Sequence, residues 1–327
     1  MRKAVGIGLV MGLCLCVGCA TTQGEQNSKV GNGSGVSIEK RADADILDVV
    51  IDGEHFTSFN YSPEYKKPFL WPVLGEGEVT VTRNWPMGEV EDTDDHVHQK
   101  SMWSAYGDVN GIDWWGEGGN SGSQRVVNVT SESGKDVGWI RAETVWQDKD
   151  GNAVLNEERE YRFLRTPANA RLFDYTITVT PAAGDALFGD TKEGGMLSLR
   201  IRDIIREKRG GTITNAEGMT TEDQCWGKPS AWCDYSGAIE VAGVRGVTIF
   251  GHPSNLRHPT RWHVRGYGLM AANCFGLSHF VGDGANGDYT LKSGEKLTFH
   301  YGVYVHSGDA AQAGVADQYK KYVARVK

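Results

Sequence analysis

Apolar and polar residues alternate along most of this chain, and that period constrains the fold more than any other feature. Residues 137–147 (VGWIRAETVWQ), 154–164 and 171–180 (RLFDYTITVT) change character at nearly every position and are rich in β-branched and aromatic side chains. Such a period is typical of strands that bury one face. The tetrapeptide DKDG at 148–151 predicts a hairpin turn between the first two strands.

The same pattern predicts strands nearly throughout, and only the C-terminal segment has the period of a helix. Further strands are predicted at residues 48–51, 69–73, 79–83, 124–130, 195–202, 238–242, 247–250, 262–265, 270–274 and 296–305. Residues 310–326 carry apolar side chains at helical spacing. The sequence therefore predicts an all-β fold, a large antiparallel sandwich or barrel with a short C-terminal helix.

The N-terminal segment has the composition of an export signal. Two basic residues precede an apolar run, residues 4–17, which is too short to span a bilayer. The run ends in CVGC, which resembles a bacterial lipobox. We therefore predict a lipoprotein signal peptide at residues 1–18 and lipidation of Cys19, the alternative being a plain signal peptide with an incidental cysteine.

Residues 19–37 are mostly Thr, Gln, Gly, Asn and Ser, a composition typical of a flexible tether. Residues 38–327 are then predicted to form a single β domain. The resulting expectation is an exported protein, lipid-anchored to the bacterial membrane and facing the periplasm or the cell surface.

The charge and the aromatic content bear on the partners. A formal net charge of −8 without a basic run argues against nucleic acid. The chain has 43 glycines and 10 tryptophans. This combination is typical of a turn-rich β protein with aromatic surfaces, and it favours an oligo- or polysaccharide partner.

The first of two histidine-rich segments reads DDHVHQKSMW, residues 94–103. In an extended segment, His96 and His98 would share one face while Val97 points away. The carboxylate of Asp95 would raise the basicity of a neighbouring imidazole. We therefore predict catalytic roles for Asp95, His96 and His98, the alternative being a solvated polar loop.

The second segment reads HPSNLRHPTRWHVRGYG, residues 252–268. Its alternation puts Trp262 and Val264 in the core and His263, the third predicted catalytic histidine, on the opposite face. Guanidinium groups beside this imidazole suit a carboxylate or a sulfate. The predicted substrate-binding residues of this segment are Asn255, Arg257, Arg261 and Arg265. The alternative is a loop stabilised by its own polar contacts.

Two glycine-rich loops, residues 107–119 and 225–233, contain adjacent or paired tryptophans. Exposed indole rings stack on pyranose rings, so Trp114 and Trp115, together with Lys100, complete the predicted substrate-binding set. The alternative is that the tryptophans cover the ends of the sandwich.

Three cysteines follow Cys19 in the sequence, and two of them bracket a turn-forming loop. Cys225 and Cys233 enclose Gly and Pro residues that permit a chain reversal, and an exported protein meets oxidising conditions. We predict that they form a disulfide, with three reduced thiols as the alternative. A second closely spaced cysteine pair, which a structural zinc site would need, is absent from the sequence.

The segments KPFLWPVLG, DDHVHQKSMW, VNGIDWW and HPSNLRHPTRWHVR together resemble a family of secreted bacterial proteins carried under the label "methane oxygenase PmoA". The resemblance covers nearly the whole predicted domain. The activity in that label belongs to a helical membrane protein and is not expected here, because the sequence after the signal offers no apolar segment long enough to span a membrane.

The resemblance implies a galactose mutarotase-like β-supersandwich with a concave sugar-binding face. The family's Asp-His-Pro-His-His motif corresponds to Asp95, His96 and His98, with Val97 in place of proline and Gln99 in place of the last histidine. The second motif corresponds to Pro253, Asn255, Arg257, Pro259, Trp262, His263 and Arg265. Membership brings no settled activity, so only the fold is implied.

Three functions are compatible with these residues. The first is a glycoside hydrolase or polysaccharide lyase that uses histidine-based acid–base chemistry; a hydrolase would need two carboxylates, from Asp95, Asp113, Glu117 and Asp203. The second is a non-catalytic glycan-binding lipoprotein. The third is a copper or zinc oxidoreductase with His96, His98 and His263 as ligands. No cofactor is predicted for the first two, and the third leaves a divalent metal open.

Overall fold

The computed structural model describes residues 33–326, and this part of the chain is nearly all β. Its strands are β1 (Val36–Lys40), β2 (Ile46–Ile51), β3 (Glu54–Asn60), β4 (Phe69–Gly75), β5 (Val79–Thr80), β6 (Met102–Tyr106), β7 (Ser123–Glu132), β8 (Val137–Gln147), β9 (Ala153–Leu164), β10 (Ala170–Pro181), β11 (Ala186–Phe188), β12 (Gly194–Arg200), β13 (Thr212–Asn215), β14 (Trp232–Ile239), β15 (Gly243–Gly251), β16 (Arg261–Val264), β17 (Leu269–Asn273), β18 (Tyr289–Leu291) and β19 (Leu297–Ser307). Its α-helices are α1 (Glu222–Cys225), α2 (Leu277–Val281) and α3 (Val315–Arg325).

Within residues 33–326 the strands form three antiparallel sheets. The first has nine strands in the order β1-β2-β3-β4-β6-β12-β17-β16, with β5 paired to β4. The second has eight strands in the order β13-β14-β15-β19-β10-β9-β8-β7, and β11 and β18 form a small third sheet. The predicted all-β antiparallel fold with a short C-terminal helix is confirmed.

The clearest alternation in the sequence forms the centre of the eight-stranded sheet. Strand β8 has the predicted bounds, and β9 and β10 are within one residue of them at each end. The turn between β8 and β9 is closed by the Asp148 carboxylate, which accepts hydrogen bonds from the backbone N–H groups of Asp150 (2.9 Å) and Asn152 (2.8 Å). An aspartate at this position favours the turn because its side chain replaces a backbone acceptor.

The inward faces of the two large sheets share one hydrophobic core. Tyr161 and Tyr175 stack there with ring centroids 4.7 Å apart, and Phe163 and Phe173 pack beside them. Trp262 and Val264 of β16 belong to this core, as the alternation predicts. Because neighbouring side chains on a strand point to opposite faces, His263 between them faces away from the core.

The C-terminal helix is shorter than predicted, because it begins at Val315 instead of residue 310. Residues before it form turns in which the Asp309 carboxylate accepts a hydrogen bond from the backbone N–H of Gln312 at 2.8 Å. Gly314 then adopts a left-handed conformation, with φ of 62°, immediately before the helix. None of the helices in residues 33–326 combines the length and apolar character needed to cross a bilayer.

The predicted disulfide between Cys225 and Cys233 is wrong for this structure, because both are free and buried thiols. The Cys225 Sγ donates to the carbonyl of Met219 at 3.4 Å, and Cys233 lies within β14 in the core. Burial raises the pKa of Cys225 to about 11, so this thiol stays protonated at neutral pH. The predicted signal peptide and residues 19–32 of the predicted tether lie outside the described residues. Strand β1 begins at Val36, two residues before the predicted start of the domain.

Candidate active site

A row of side chains on the outward face of the nine-stranded sheet forms the base of the candidate site. Pairing between neighbouring strands aligns His263 of β16 with Ala271 of β17, Ala271 with Ser198 of β12, and Ser198 with Trp103 of β6. Two small residues therefore separate the imidazole of His263 from the indole of Trp103. This spacing leaves room above the sheet for side chains from the loops, which cover the row.

The loop that precedes β6, residues 84–101, is called here the histidine loop. We expected its histidines on an extended segment, and this expectation is wrong: the loop contains no strand, and His96 has φ of 47°, in the left-handed region. The turn nevertheless keeps the two imidazoles together, with the ring centroids of His96 and His98 5.7 Å apart. His96 is exposed, whereas His98 is only partly exposed.

Asp95 fastens the histidine loop to the sheet. Its Oδ1 accepts hydrogen bonds from Arg83 and Arg200, each at 2.8 Å, and its Oδ2 lies 3.1 Å from Nδ1 of His96. Both arginine side chains are at most 1% exposed, while Asp95 is 41% exposed. Burial works against ionisation of Asp95, but the guanidinium groups of Arg200 and Arg83 hold its pKa below the usual value. The carboxylate therefore stays charged and fixes the orientation of His96.

Tyr267 lies on the other side of His96. The two rings stack with centroids 5.1 Å apart and an interplanar angle of 11°, and the Arg200 guanidinium lies 4.7 Å from the centroid of the Tyr267 ring. Arg200 also donates to the side-chain oxygen of Gln99 at 2.6 Å. A cation over an aromatic face stabilises the pair, so the Tyr267 ring is held against the histidine loop.

The first half of the histidine loop is attached to the protein by further ion pairs. Glu91 accepts from Arg202 at 2.8 Å and 2.9 Å, and Asp92 pairs with Arg206 and with Arg209, the latter at 2.6 Å. These arginines lie in the segment that follows β12. The acidic sequence EVEDTDD of the loop is therefore matched by an arginine-rich segment, which explains why a loop with few apolar residues keeps a defined position.

Beneath His98 lies a buried group of two lysines and one glutamate. Glu117 accepts from Lys100 at 2.5 Å and lies 3.1 Å from Nζ of Lys67. Lys67 also donates to the carbonyl of Trp115 at 2.8 Å. Burial lowers the pKa of Lys67 to about 8, and the Glu117 carboxylate opposes this shift. Two ammonium groups against one carboxylate leave one positive charge in excess beside His98.

Glu193, which precedes β12, brings the two histidine-rich segments to one site. Burial alone would raise its pKa, but the hydrogen bond and charge of Lys192, and the positive charges that His263 and His98 carry when protonated, hold the pKa below its usual value. Both imidazoles therefore lie within electrostatic reach of the same carboxylate. Glu193 could not be predicted from the sequence, because an isolated glutamate before a glycine pair has no distinguishing pattern.

Both imidazoles are neutral at neutral pH. Burial is the largest cause that lowers the pKa of His263 to about 4, against the opposing attraction of Glu193. Burial also lowers the pKa of His98 to about 4, and the Lys67 ammonium contributes in the same direction. A neutral imidazole can accept a proton, so either histidine can act as a general base.

Several buried hydrogen-bond donors on this face have no partner among residues 33–326. They are the indole N–H groups of Trp71, Trp103 and Trp115, and Nδ1 of His263 is likewise unpartnered although the residue is 2% exposed. Buried polar atoms are nearly always hydrogen-bonded, by protein, water or ligand. A group of them in one cluster points to a ligand or ordered water that supplies acceptor oxygens.

Two of the predicted substrate-binding residues stabilise the protein's own loops. Arg257 donates to the carbonyls of Cys274 (3.0 Å) and Gly287 (2.6 Å). Asn255 exchanges two hydrogen bonds with the backbone of His300, at 2.7 Å and 2.8 Å. Their hydrogen-bonding capacity is used locally, so the structure does not bring them into the site.

The two arginines that flank His263 are also engaged. Arg261 donates to the carbonyl of Gly227 at 2.7 Å, and Arg265 pairs with Glu222 at 2.7 Å. The guanidinium of Arg265 nevertheless lies 5.8 Å from the centroid of the Tyr267 ring and contributes to lowering the pKa of His263. Arg265 is therefore at the site, whereas Arg261 supports the neighbouring loop.

The tryptophans do not form the exposed surface that we expected. Trp114 is 2% exposed and packs in the core against Trp146, and Trp232 is also buried. Trp115 is 3% exposed, although it lines the site, with its ring 6.1 Å from that of His98. Bulky aromatics in glycine-rich loops are used here mainly to close the sandwich.

A metal centre receives no support from the geometry. Within residues 33–326, no three His, Cys, Asp or Glu side chains are grouped so that they could hold a metal ion. This includes the alternative ligand set of His96, His98 and His263. The Nδ1 of His96 is already occupied by Asp95.

Comparison with known proteins supplies a family. A family described only as a "family of unknown function (DUF6807)" matches residues 46–320. The chain belongs to this family. No curated protein matches the sequence.

Two solved structures align with most of this chain, at low identity. A galactose 1-epimerase from Lactobacillus acidophilus NCFM covers 84% of this chain and 98% of its own, at 8% identity and a TM-score of 0.37. A galactose mutarotase related enzyme from Lactobacillus acidophilus covers 83% and 97%, at 10% identity and a TM-score of 0.27. Neither similarity assigns an activity to this member of DUF6807.

The low pKa of His263 predicts a loss of stability in acid. In the unfolded chain this histidine takes up a proton as the pH falls through 6.5, whereas in the folded protein it does so only near pH 4. The unfolded state therefore binds more protons between these values, and stability falls as the pH falls. We expect the free energy of unfolding, measured in urea, to fall on going from pH 7 to pH 4.5 in both proteins. The fall should be about 2 to 3 kcal/mol smaller in His263→Gln than in the wild type. An equal loss in both proteins would contradict the assigned pKa.

Proposed function

We propose that this protein is a carbohydrate-active enzyme that moves protons at a sugar ring, with His98, His263 and Glu193 as the reacting groups. One observation carries the proposal: the row that begins at His263 ends at Trp103, whose ring lies 5.2 Å from that of Trp115, and the Trp115 ring lies 6.1 Å from that of His98. The two imidazoles are therefore joined by one continuous face, and the pKa of Glu193 responds to both of them. The unpartnered donors on the same face favour a ligand rich in oxygen atoms. General acid–base catalysis by positioned side chains needs no cofactor.

Among reactions of this class, β-elimination from a uronide suits the charges best. A base removes the proton from the carbon next to the sugar carboxylate, the electron pair forms a C=C bond, and the neighbouring C–O bond breaks. His98 is the candidate base, and the excess positive charge of the Lys67, Glu117 and Lys100 group favours the negative charge that develops on the carboxylate. His263, which is also neutral, is the second candidate base. Whichever imidazole takes up the proton becomes an imidazolium, which can return that proton to the leaving oxygen.

Hydrolysis by two carboxylates is less well supported. Such a mechanism needs one free carboxylate and one carboxylic acid across the scissile bond. Glu117 is enclosed by two lysines, and its pKa is lowered by them. Asp95 is held ionised by two arginines. Asp113 accepts hydrogen bonds from the backbone N–H groups of Trp115 and Gly116, and Asp203 accepts one from that of Thr93. Glu193 is therefore the carboxylate that remains for a reaction, and its partner would be an imidazole.

A product assay tests the proposal. Purified protein is incubated with a panel of uronide-containing and neutral polysaccharides, and both new reducing ends and ultraviolet absorbance from a new double bond are measured. Elimination produces both signals, whereas hydrolysis produces reducing ends alone. Binding of a polysaccharide without either signal would favour the non-catalytic glycan-binding alternative.

We also propose that the protein acts outside the cytoplasm, anchored through a lipid on Cys19. The lipobox-like CVGC and the apolar run before it support this proposal. We expect Cys19→Ser to move the protein from the membrane fraction to the soluble exported fraction, because an acyl chain contributes about 0.8 kcal/mol of membrane affinity per buried methylene. Cys14→Ser, which changes a cysteine outside the lipobox-like segment, is the matched control and should remain in the membrane fraction. Equal behaviour of the two variants would contradict lipidation at Cys19.

A further inference from the structure

The outward face of the eight-stranded sheet carries two adjoining cavities, on the side of the sandwich away from the candidate active site. One has a volume of about 310 Å³ and the other about 340 Å³, and both are lined by Thr176 of β10. Alternate residues of the same strand, Tyr175 and Ile177, lie in the core. The two cavities together are called here the back groove.

Cross-strand pairs arrange the polar groups of the back groove in rows. The first row aligns Thr130, Arg141, Glu160, Thr176 and His300. The second row aligns Asn128, Glu143, Glu158, Thr178 and Thr298. Neighbouring members of a row are about 4.8 Å apart, the spacing between strands. Every position in these rows can donate or accept a hydrogen bond.

The charges of the back groove nearly cancel. The outward side chains of the first cavity include three glutamates and one arginine, because Arg159 faces the interior and pairs with Glu157, and the second cavity is lined by one acidic and two basic side chains. Several of them form pairs within the groove, such as Arg325 with Asp174 at 2.6 Å and Arg162 with Glu160 at 3.7 Å. A ligand with many charges of one sign, such as nucleic acid, gains little from this surface.

The back groove also differs from a protein-binding surface. The cores of protein interfaces are apolar and poor in charged residues, whereas the floor here is made of threonine, glutamate and arginine side chains. The backbone groups of β8, β9 and β10 are paired within the sheet, so a peptide could not add a strand. Hydroxyl groups of a sugar, in contrast, can donate to the carboxylates and accept from the guanidinium groups at the same time.

We infer that the back groove is a second glycan-binding site, which holds neutral, hydroxyl-rich sugar residues away from the reacting centre. The inference rests on the proposed function for the class of its ligand. Trp139 lies on the same face, where it pairs with Arg162, and the guanidinium of Arg141 is 4.5 Å from its ring centroid. The site holds a polymer by hydrogen bonds and needs none of the reacting histidines.

Electrophoresis in gels that contain neutral polysaccharides (glucan, xylan, mannan or galactan) tests this inference, with polygalacturonate gels for comparison. The double variant Thr176→Val, Thr178→Val removes two hydroxyl groups and keeps the shape and the strand preference of both side chains. We expect the wild type to be retarded by a neutral polysaccharide and the double variant to bind it about tenfold more weakly or worse. Thr212→Val, at an exposed position of the edge strand β13, is the matched control and should behave as the wild type does.

Two further variants separate this inference from the proposed function. His263→Gln should lose turnover but keep its retardation, because its side chain lies on the other sheet. Arg162→Ala replaces the double variant if that protein proves unstable. The Arg162 side chain is 48% exposed, so its removal should weaken retardation without unfolding the protein. Absence of retardation of the wild type in every neutral gel, or unchanged retardation of the groove variants, would overturn the inference. Retardation that depends on His263 alone would assign the binding to the active site.

Discussion

Glutamine in place of His263 is expected to lower the rate of glycan turnover by about 100- to 10,000-fold, the usual range for loss of a general acid or base. The side chain of glutamine is polar and similar in size to the imidazole, which lies beside Ala271 and with its ring centroid 6.4 Å from that of Phe280. It cannot transfer a proton at neutral pH. The effect should therefore fall on kcat, with a smaller change in KM.

The measurement is steady-state turnover of whichever uronide polysaccharide gives the ultraviolet signal with the wild type. His55→Gln is the matched control, because His55 lies on β3, away from the candidate site, and contacts Ser58 at 3.0 Å. Its turnover should stay close to that of the wild type. A His263 variant with wild-type turnover and an intact fold would remove His263 from the mechanism.

The second large effect is expected on stability. Asp95→Ala should lower the free energy of unfolding by about 2 to 4 kcal/mol, because it leaves Arg83 and Arg200 buried without their shared carboxylate. Removal of one partner from a fully buried ion pair costs about 3 to 5 kcal/mol, and the partial exposure of Asp95 reduces this figure. The same substitution frees the imidazole of His96.

Urea unfolding of matched neighbours measures this effect. Asp94→Ala removes the adjacent carboxylate, which is exposed, and should change the free energy of unfolding by no more than about 0.5 kcal/mol. Asp95→Asn keeps one acceptor oxygen and should fall between the two. Similar stabilities of the two alanine variants would mean that Asp95 does not compensate the buried guanidinium groups.

The sequence was sufficient for the fold class because its longest strands follow a strict local period. In β8 and β9 the alternation of side chains decides which face enters the core, so the bounds could be predicted within one residue. The same reasoning correctly predicted that Trp262 is in the core and that His263 faces away from it. Both statements need only the geometry of a single strand.

The candidate site was less predictable because it depends on contacts between distant segments. His96 departs from the extended geometry because Asp95, next to it, is held by Arg83 and Arg200. Glu193 lies at the site because the chain passes beside the two histidines just before β12 begins. No local pattern encodes these tertiary contacts.

The predictions for the cysteines and the tryptophans were wrong for a related reason. Spacing in the sequence suggested a disulfide between Cys225 and Cys233. The Cys225 thiol instead donates to the carbonyl of Met219, and Cys233 lies in the core. Trp114 and Trp115 were expected on the surface, and both are buried. Glycine-rich loops allow the chain to fold back over such residues, which composition alone does not reveal.

The ion pairs of the histidine loop differ in how strongly dissolved salt weakens them. Arg209, which pairs with Asp92, is 55% exposed, whereas Arg83 and Arg200, which pair with Asp95, are at most 1% exposed. Counterions screen the exposed pair far more than the enclosed ones. In brine the contact between Arg209 and Asp92 would therefore weaken first, while the enclosed pairs of Asp95 keep His96 anchored.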